Sequence, residues 1–97
     1  MEFKPVNPRI TLADGVSLSV QGGAYAYSTP RRDTGPYKAV EVGYILNPKG
    51  KGFAPPKAEW AEYADGKFPN NVYAYVPIEV VNAFILAHGG IVKGKLP

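Results

Sequence analysis

Two adjacent arginines, Arg31 and Arg32, are followed at once by Asp33 in the stretch YSTPRRDTGPY that runs from Tyr27 to Tyr37. Each guanidinium is a planar fork of N–H donors, suited to pairing with a carboxylate or a phosphate through two parallel hydrogen bonds. Asp33 can orient one of the forks, and Gly35 permits close approach of a ligand to the backbone. Pro30 and Pro36 restrict the segment, so less chain entropy is lost when a partner orders it. The other reading of the same residues is a surface salt bridge from Arg31 or Arg32 to Asp33 or Glu41, which contributes at most about 1 kcal/mol. Loop segments that place paired arginines between two tyrosines are the best place in this chain to look for a binding site.

Aromatic residues are the second feature with chemical meaning. Of the seven tyrosines, Tyr25, Tyr27, Tyr73 and Tyr75 recur at alternating positions. On a sheet face they would form a stacking platform for bases or a nucleotide ring, with arginine reaching phosphate and Tyr37 flanking the loop. The pattern departs from the RNA-recognition fold, lacking its fuller basic and aromatic motif and its order of strands and helices. The alternative is that the rings pack the rim of the core with their hydroxyls in water.

Little else offers chemistry. With no cysteine and one histidine, thiol nucleophiles, disulfides and thiolate metal sites are excluded, and a protein-held zinc or iron centre is not expected. His88 lies in the last turn of an expected helix, where it can complement the negative helix end or cap its carbonyls. No serine or cysteine nucleophile is recognisably paired with it. The run Lys49-Gly-Lys-Gly52 lacks the Lys-Ser/Thr pair and the following helix of a phosphate loop, so it reads as a basic turn. Glu59 and Glu62 read as the wet side of a short helix. No cofactor is implied, and the pattern as a whole points to a non-enzymatic protein.

These residues must be held by a small fold. Ninety-seven residues suffice for a single domain, 1–97, with a single core. A hydrophobic fraction of 45% and a charged fraction of 20% belong to an ordered chain. The longest apolar run, Ala83 to Ala87, is far short of the roughly 20 residues a membrane span needs, and MEFKPVNPRI has no apolar leader core. No membrane association is therefore expected, and a cytoplasmic location fits. The net charge of +3, from eleven Lys and Arg against eight Asp and Glu, neither demands nor excludes an anionic partner. The basic pairs Arg31/Arg32, Lys49/Lys51 and Lys93/Lys95 fall in expected loops, and Glu59, Glu62, Asp65 and Glu79 on expected helices.

Period analysis orders the elements. Residues 9–12 and 16–20 read as a hairpin around Ala13-Asp14-Gly15, with Val16, Leu18 and Val20 on the buried side. Residues 24–28 predict a third strand, with Tyr25 and Tyr27 on one face. Residues 38–46 predict a fourth, with Val40, Val42 and Tyr44 opposite Ala39, Glu41 and Gly43. From Pro55 to Asp65 the period becomes helical, with Trp60, Tyr63 and Ala64 on one side and Gly66 as the stop. Val72 to Val76 predicts a fifth strand, and Pro77 opens a final helix that Gly89-Gly90 ends. That helix should bury Ile78, Val81, Phe84 and Ile85, leaving Glu79, Asn82 and Leu86 in solvent. The resulting fold class is α+β: a small, mainly antiparallel sheet of about five strands with two short helices, in the order β-β-β-β-α-β-α.

Two long stretches, VSLSVQGGAYAYSTPRRDTGPYKAVEVGY and VYAYVPIEVVNAFILAHGG, resemble short proteins encoded by tailed phages and prophages. The resemblance implies action by occupancy: a small accessory protein that binds a host protein or defence complex, as in counter-defence of the anti-CRISPR type, in the host cytoplasm. Two further classes stay open. One is a nucleotide or oligonucleotide binder, sponge-like, with a homo-oligomer holding sites between subunits as one form of it. The other is a virion structural or assembly component that self-associates through apolar surface such as Phe53 and Leu86.

Overall fold

In the computed structural model of the chain, residues 6–68 and 71–97 are described; the leader reading of the first five residues lies outside them. Six strands form one open sheet in the order β4-β5-β3-β2-β1-β6, every neighbouring pair antiparallel. The strands are β1 (Ile10–Leu12), β2 (Ser17–Gln21), β3 (Ala39–Leu46), β4 (Ala64–Asp65), β5 (Val72–Pro77) and β6 (Ile91–Lys93), with helices α1 (Lys57–Trp60) and α2 (Ile78–Ala87). The α+β class holds; the sheet has six strands rather than about five.

One face of the sheet is covered. Ile10, Leu12, Leu18, Val20, Val40, Val42, Tyr73 and Val76 turn toward Val81, Phe84 and Ile85 of α2 and Trp60 of α1 in one core cluster. The alternation in β2 and the helical stripe in α2 are realised, with Ile78 packed partly against the core and Leu86 75% exposed. Each large apolar side chain fully buried in this way contributes about 1.5–3 kcal/mol. Trp60 is the largest of them, edge-on to Tyr73 at 5.3 Å and to Phe84 at 5.6 Å between ring centroids.

Four expectations are corrected. Residues 24–28 are not a strand: β3 already has β2 on one side and β5 on the other, so the segment turns instead, with Ala26 N–H donating to Gly23 O and Ser28 N–H to Ala26 O. Just past it, an isolated bridge joins Thr29 to Ala39. The helix expected over residues 55–65 is four residues of α1 and one 3₁₀ turn, Ala61–Tyr63, after which Ala64 and Asp65 pair with β5 as β4. Lys93, expected in a loop, belongs to β6, and Asp65, expected on a helix, belongs to β4.

The fourth correction concerns Tyr44. Ser17 pairs with Leu46 and Ser19 with Gly43, so β3 carries one residue more than β2 over this interval. Tyr44 absorbs the excess in the left-handed region, at φ 50°. Gly43 and Ile45 on either side of it are buried, whereas Tyr44 is 66% exposed. Without such a bulge, the period of 2 would carry one part of β3 to the wrong face.

Left-handed backbone costs an ordinary L residue about 1–2 kcal/mol, and most a β-branched one. Tyr44 is exposed, so few packing contacts obscure that term. Tyr44→Val should unfold at lower denaturant than Tyr44→Gly, the two differing by about 1–2 kcal/mol; equal midpoints in a urea titration would contradict a left-handed residue at this position.

Candidate functional site

The arginine loop is built on a buried tyrosine. Tyr37 is a core residue, and its hydroxyl donates to Arg32 O at 2.8 Å. Gly22 lies so close over this ring that a Cβ there would fall 2.6 Å from it, which is why the Gly-Gly pair before the turn carries no side chain at that position. Thr29 and Lys38 close the neck of the loop, Lys38 N–H donating to Thr29 O at 2.7 Å. Ser28 is buried beneath it: its hydroxyl donates to Pro30 O at 3.0 Å and accepts Gly23 N–H at 3.1 Å. The Thr29–Pro30 and Gly35–Pro36 peptide bonds are cis.

Asp33 does not orient an arginine. Its Oδ1 accepts the Ala24 N–H at 2.9 Å, tying the loop to the preceding turn. Glu41, the other carboxylate that could have paired with an arginine, accepts the Tyr27 N–H at 3.1 Å. Among the described residues the one ion pair within 4 Å is between His88 and Asp14, so Arg31 and Arg32 have no carboxylate partner there. Both side chains are exposed. The backbone N–H groups of residues 31–35 likewise make no hydrogen bond to another described residue.

The tyrosines divide into two groups. Tyr37 and Tyr73 are buried in the core and offer no ring face. Tyr27 and Tyr75 come together on the outside, ring centroids 5.8 Å apart and tilted by 40°, with the Arg31 guanidinium 5.4 Å from the Tyr27 centroid. Tyr25 is 81% exposed on the same turn as Tyr27. A second bulge makes the pair: Val40 faces Val76 and Val42 faces Tyr73, so β5 has one extra residue opposite Glu41. Tyr75 takes it up at φ 53°, and its N–H donates to Tyr27 O at 3.0 Å instead of to β3. The expected grouping of Tyr73 with Tyr75 on one face therefore fails. An exposed cation over a ring is worth about 0.5–1 kcal/mol, enough to bias Arg31 toward Tyr27 without locking it there.

Family models, curated proteins and solved structures give no match to this chain.

The remaining sequence candidates take structural places. Lys49 and Lys51 sit in the turn after β3, with both amides donating to Asn47 Oδ1. Glu59 and Glu62 are exposed, and no group of three or more potential metal ligands occurs among the described residues. Phe53 is half-buried, its ring 6.4 Å from Phe84 and 5.6 Å from His88, rather than a free apolar surface.

The backbone N–H of His88, the residue that ends α2, reaches Phe84 O and Ile85 O, and its ring lies against Phe84, tilted by 43° with centroids 4.4 Å apart. Its Nδ1 meets Asp14 Oδ2 at 2.5 Å. Sequence reasoning placed His88 at the helix end, but the ring goes to Asp14, 74 residues away, and only the backbone N–H of His88 reaches the helix carbonyls; nothing local links a hairpin turn to a helix end. The turn also caps the helix through its backbone: Asp14 N–H donates to His88 O and Ala13 N–H to Gly90 O. The hydrogen bond from His88 holds the Asp14 carboxyl below its ordinary value of 3.8, assisted by the Val16 N–H.

A carboxyl depressed by folding stabilises the fold above its unfolded pKa, and the contribution disappears as pH falls through the folded value. Asp14→Asn should therefore melt below the parent protein at neutral pH and show the same deficit down to about pH 4. The gap should close further into acid; a deficit independent of pH down to pH 2 would show that the charge of Asp14 is not what matters.

Proposed function

We propose that this chain is a non-enzymatic binding protein that acts by occupying an acidic partner protein, with Arg31, Arg32 and the Tyr27–Tyr75 pair as its contact surface. One observation carries the reading: two guanidinium groups stand without carboxylate partners among the described residues, on a loop whose base is tied down by Tyr37, Ser28 and Asp33. An arginine already paired within its own chain gains little from a new carboxylate. An unpaired one on an ordered support gains charge-assisted, two-pronged hydrogen bonds without the cost of ordering the backbone. Arginine and tyrosine are also the residue types that dominate binding energy at protein interfaces.

The resemblance to small tailed-phage proteins supports a host macromolecule as partner and a counter-defence role of the anti-CRISPR type, in the host cytoplasm. The exposed rings of Tyr25 and Tyr75 and the half-buried ring of Tyr27 beside Arg31 favour a second reading, in which a nucleotide or a single strand stacks on tyrosine and places its phosphate at the arginines. That reading also accommodates an oligomer with sites shared between subunits.

The test is affinity capture from bacterial lysate with the parent protein and with Arg31→Ala/Arg32→Ala, followed by native mass spectrometry. An acidic polypeptide retained by the parent at least tenfold more than by the double variant, with melting temperature unchanged, is the expected result; about 1.4 kcal/mol corresponds to that factor. Retention of a nucleotide-sized mass that the variant loses would replace the first reading with the second. Equal capture by both proteins would remove the arginine loop from either, and self-association indifferent to the arginines would favour an assembly component.

A further inference from the structure

A concave surface on the other half of the chain shares no residue with the arginine loop. A cleft of about 480 Å³ opens between the Ala54-Pro55 segment, the residues Trp60 and Ala61 at the start of the 3₁₀ turn, and Gly66, Phe68 and Asn71 beyond β4. Its walls are apolar: Pro55, Trp60, Ala61, Ala64, Phe68 and Tyr73. A cavity of this size matches small-molecule sites, which are characteristically apolar with a few placed polar groups.

Asn71 supplies the one side-chain amide of the lining, beside the indole N–H of Trp60 and the hydroxyl of Tyr73. Asn71 is 8% exposed and borders the cleft, yet no hydrogen bond joins its amide to another described residue. Buried amides are ordinarily satisfied, because leaving a donor and an acceptor unpaired away from water costs about 1–3 kcal/mol. None of the buried side-chain polar atoms of the described residues is sealed off without a partner, so the Asn71 amide keeps contact with accessible space, and the cleft is the accessible space that Asn71 borders. There it presents an N–H₂ donor and a C=O acceptor side by side to whatever occupies the space.

We infer that this cleft is a ligand site for an aromatic ring carrying an adjacent hydrogen-bond donor and acceptor, the edge found in lactams and nucleobases. The ring packs among Trp60, Tyr73, Phe68 and Pro55, where edge-to-face contact with aromatic walls is favourable. Its polar edge pairs with the Asn71 amide through two hydrogen bonds, the arrangement by which an Asn side chain reads adenine. The small residues Ala61 and Ala64 leave the space that the ring takes. An apolar ring of the same size enters the cleft but leaves the Asn71 amide unpaired, and the site discriminates against it for that reason.

The test titrates nitrogen-labelled protein with α-pyridone, with benzene and with adenine, following nitrogen–proton correlation peaks. Trp60 is the sole tryptophan, so its indole N–H peak reports the cleft without ambiguity, together with the Asn71 side-chain pair. The expected result is saturable shifts of both signals, with α-pyridone or adenine bound at least about tenfold more tightly than benzene, the worth of one to two net hydrogen bonds. Asn71→Leu should abolish the discrimination while retaining benzene, and Ala61→Phe, which fills the cleft from an exposed position, should abolish binding of all three with the fold intact. Tighter binding of adenine than of α-pyridone would assign the site to nucleobases, and the reverse to lactams. Equal affinity for benzene and α-pyridone would overturn the role of Asn71, and unmoved Trp60 and Asn71 peaks up to the solubility of the probes would overturn the site. Neither outcome bears on Arg31 and Arg32, whose variants leave these residues untouched.

Discussion

The central strand β3 is paired on both sides, and each pairing must keep its apolar residues on the single covered face of the sheet. Strict alternation would not do this over the whole length of β3 and β5. One extra residue in β3 and one in β5 restore the match, Tyr44 opposite β2 and Tyr75 opposite β3. Both take left-handed backbone angles, at φ 50° and 53°, where a non-glycine residue costs free energy that the flanking register must offset. The compensation is visible in what lies beside them: Ile45 returns to the core after Tyr44, and Val76 after Tyr75. The bulges thus serve the core first, and the exposed rings are a consequence of the register.

That consequence shapes the surface. A bulged residue has an N–H that the ladder does not use, and the one on Tyr75 goes to Tyr27 O. This contact, with Tyr27 N–H on Glu41, fastens a segment that has no strand of its own to the sheet. The arginine loop inherits its position from there and from Tyr37, which reaches out of the core to hold Arg32 O. The carboxylates near the loop each accept a backbone amide, Asp33 from Ala24 and Glu41 from Tyr27, and neither lies within ion-pair distance of an arginine. The arginines are left without a carboxylate partner among the described residues, and the nearby acids face backbone amides instead.

A different economy operates on the other half of the sheet. Trp60 is brought into the core by a helix of four residues, too short to stand by itself, and its position depends on Tyr73 and Phe84. The chain that leads out of this turn becomes β4, only two residues long, so the end of the sheet is thin and concave. The apolar cleft with Asn71 on its wall follows from ending the sheet in this way.

Much of the fold was legible in the residues. Alternation of Val16, Leu18 and Val20 with serines specified β2 and its buried face, and the spacing of Val81, Phe84 and Ile85 specified α2 and the exposure of Leu86. Gly89-Gly90 marked the helix end, and both do adopt left-handed angles. These features depend on steric and hydrophobic preferences acting over a few residues, so a local period carries them. The tripeptide Tyr-Ala-Tyr shows where that stops. It occurs at Tyr25–Tyr27 in a turn and at Tyr73–Tyr75 in a bulged strand, and the difference lies in which edge of β3 was free to accept a hydrogen-bonded neighbour. The sequence by itself determined the fold class, the course of α2 and the presence of a constrained arginine loop. Tertiary structure alone decided which tyrosines face solvent, which carboxylates the arginines forgo, and that Asp14 meets His88, because each of these turns on backbone groups finding partners far away in the chain.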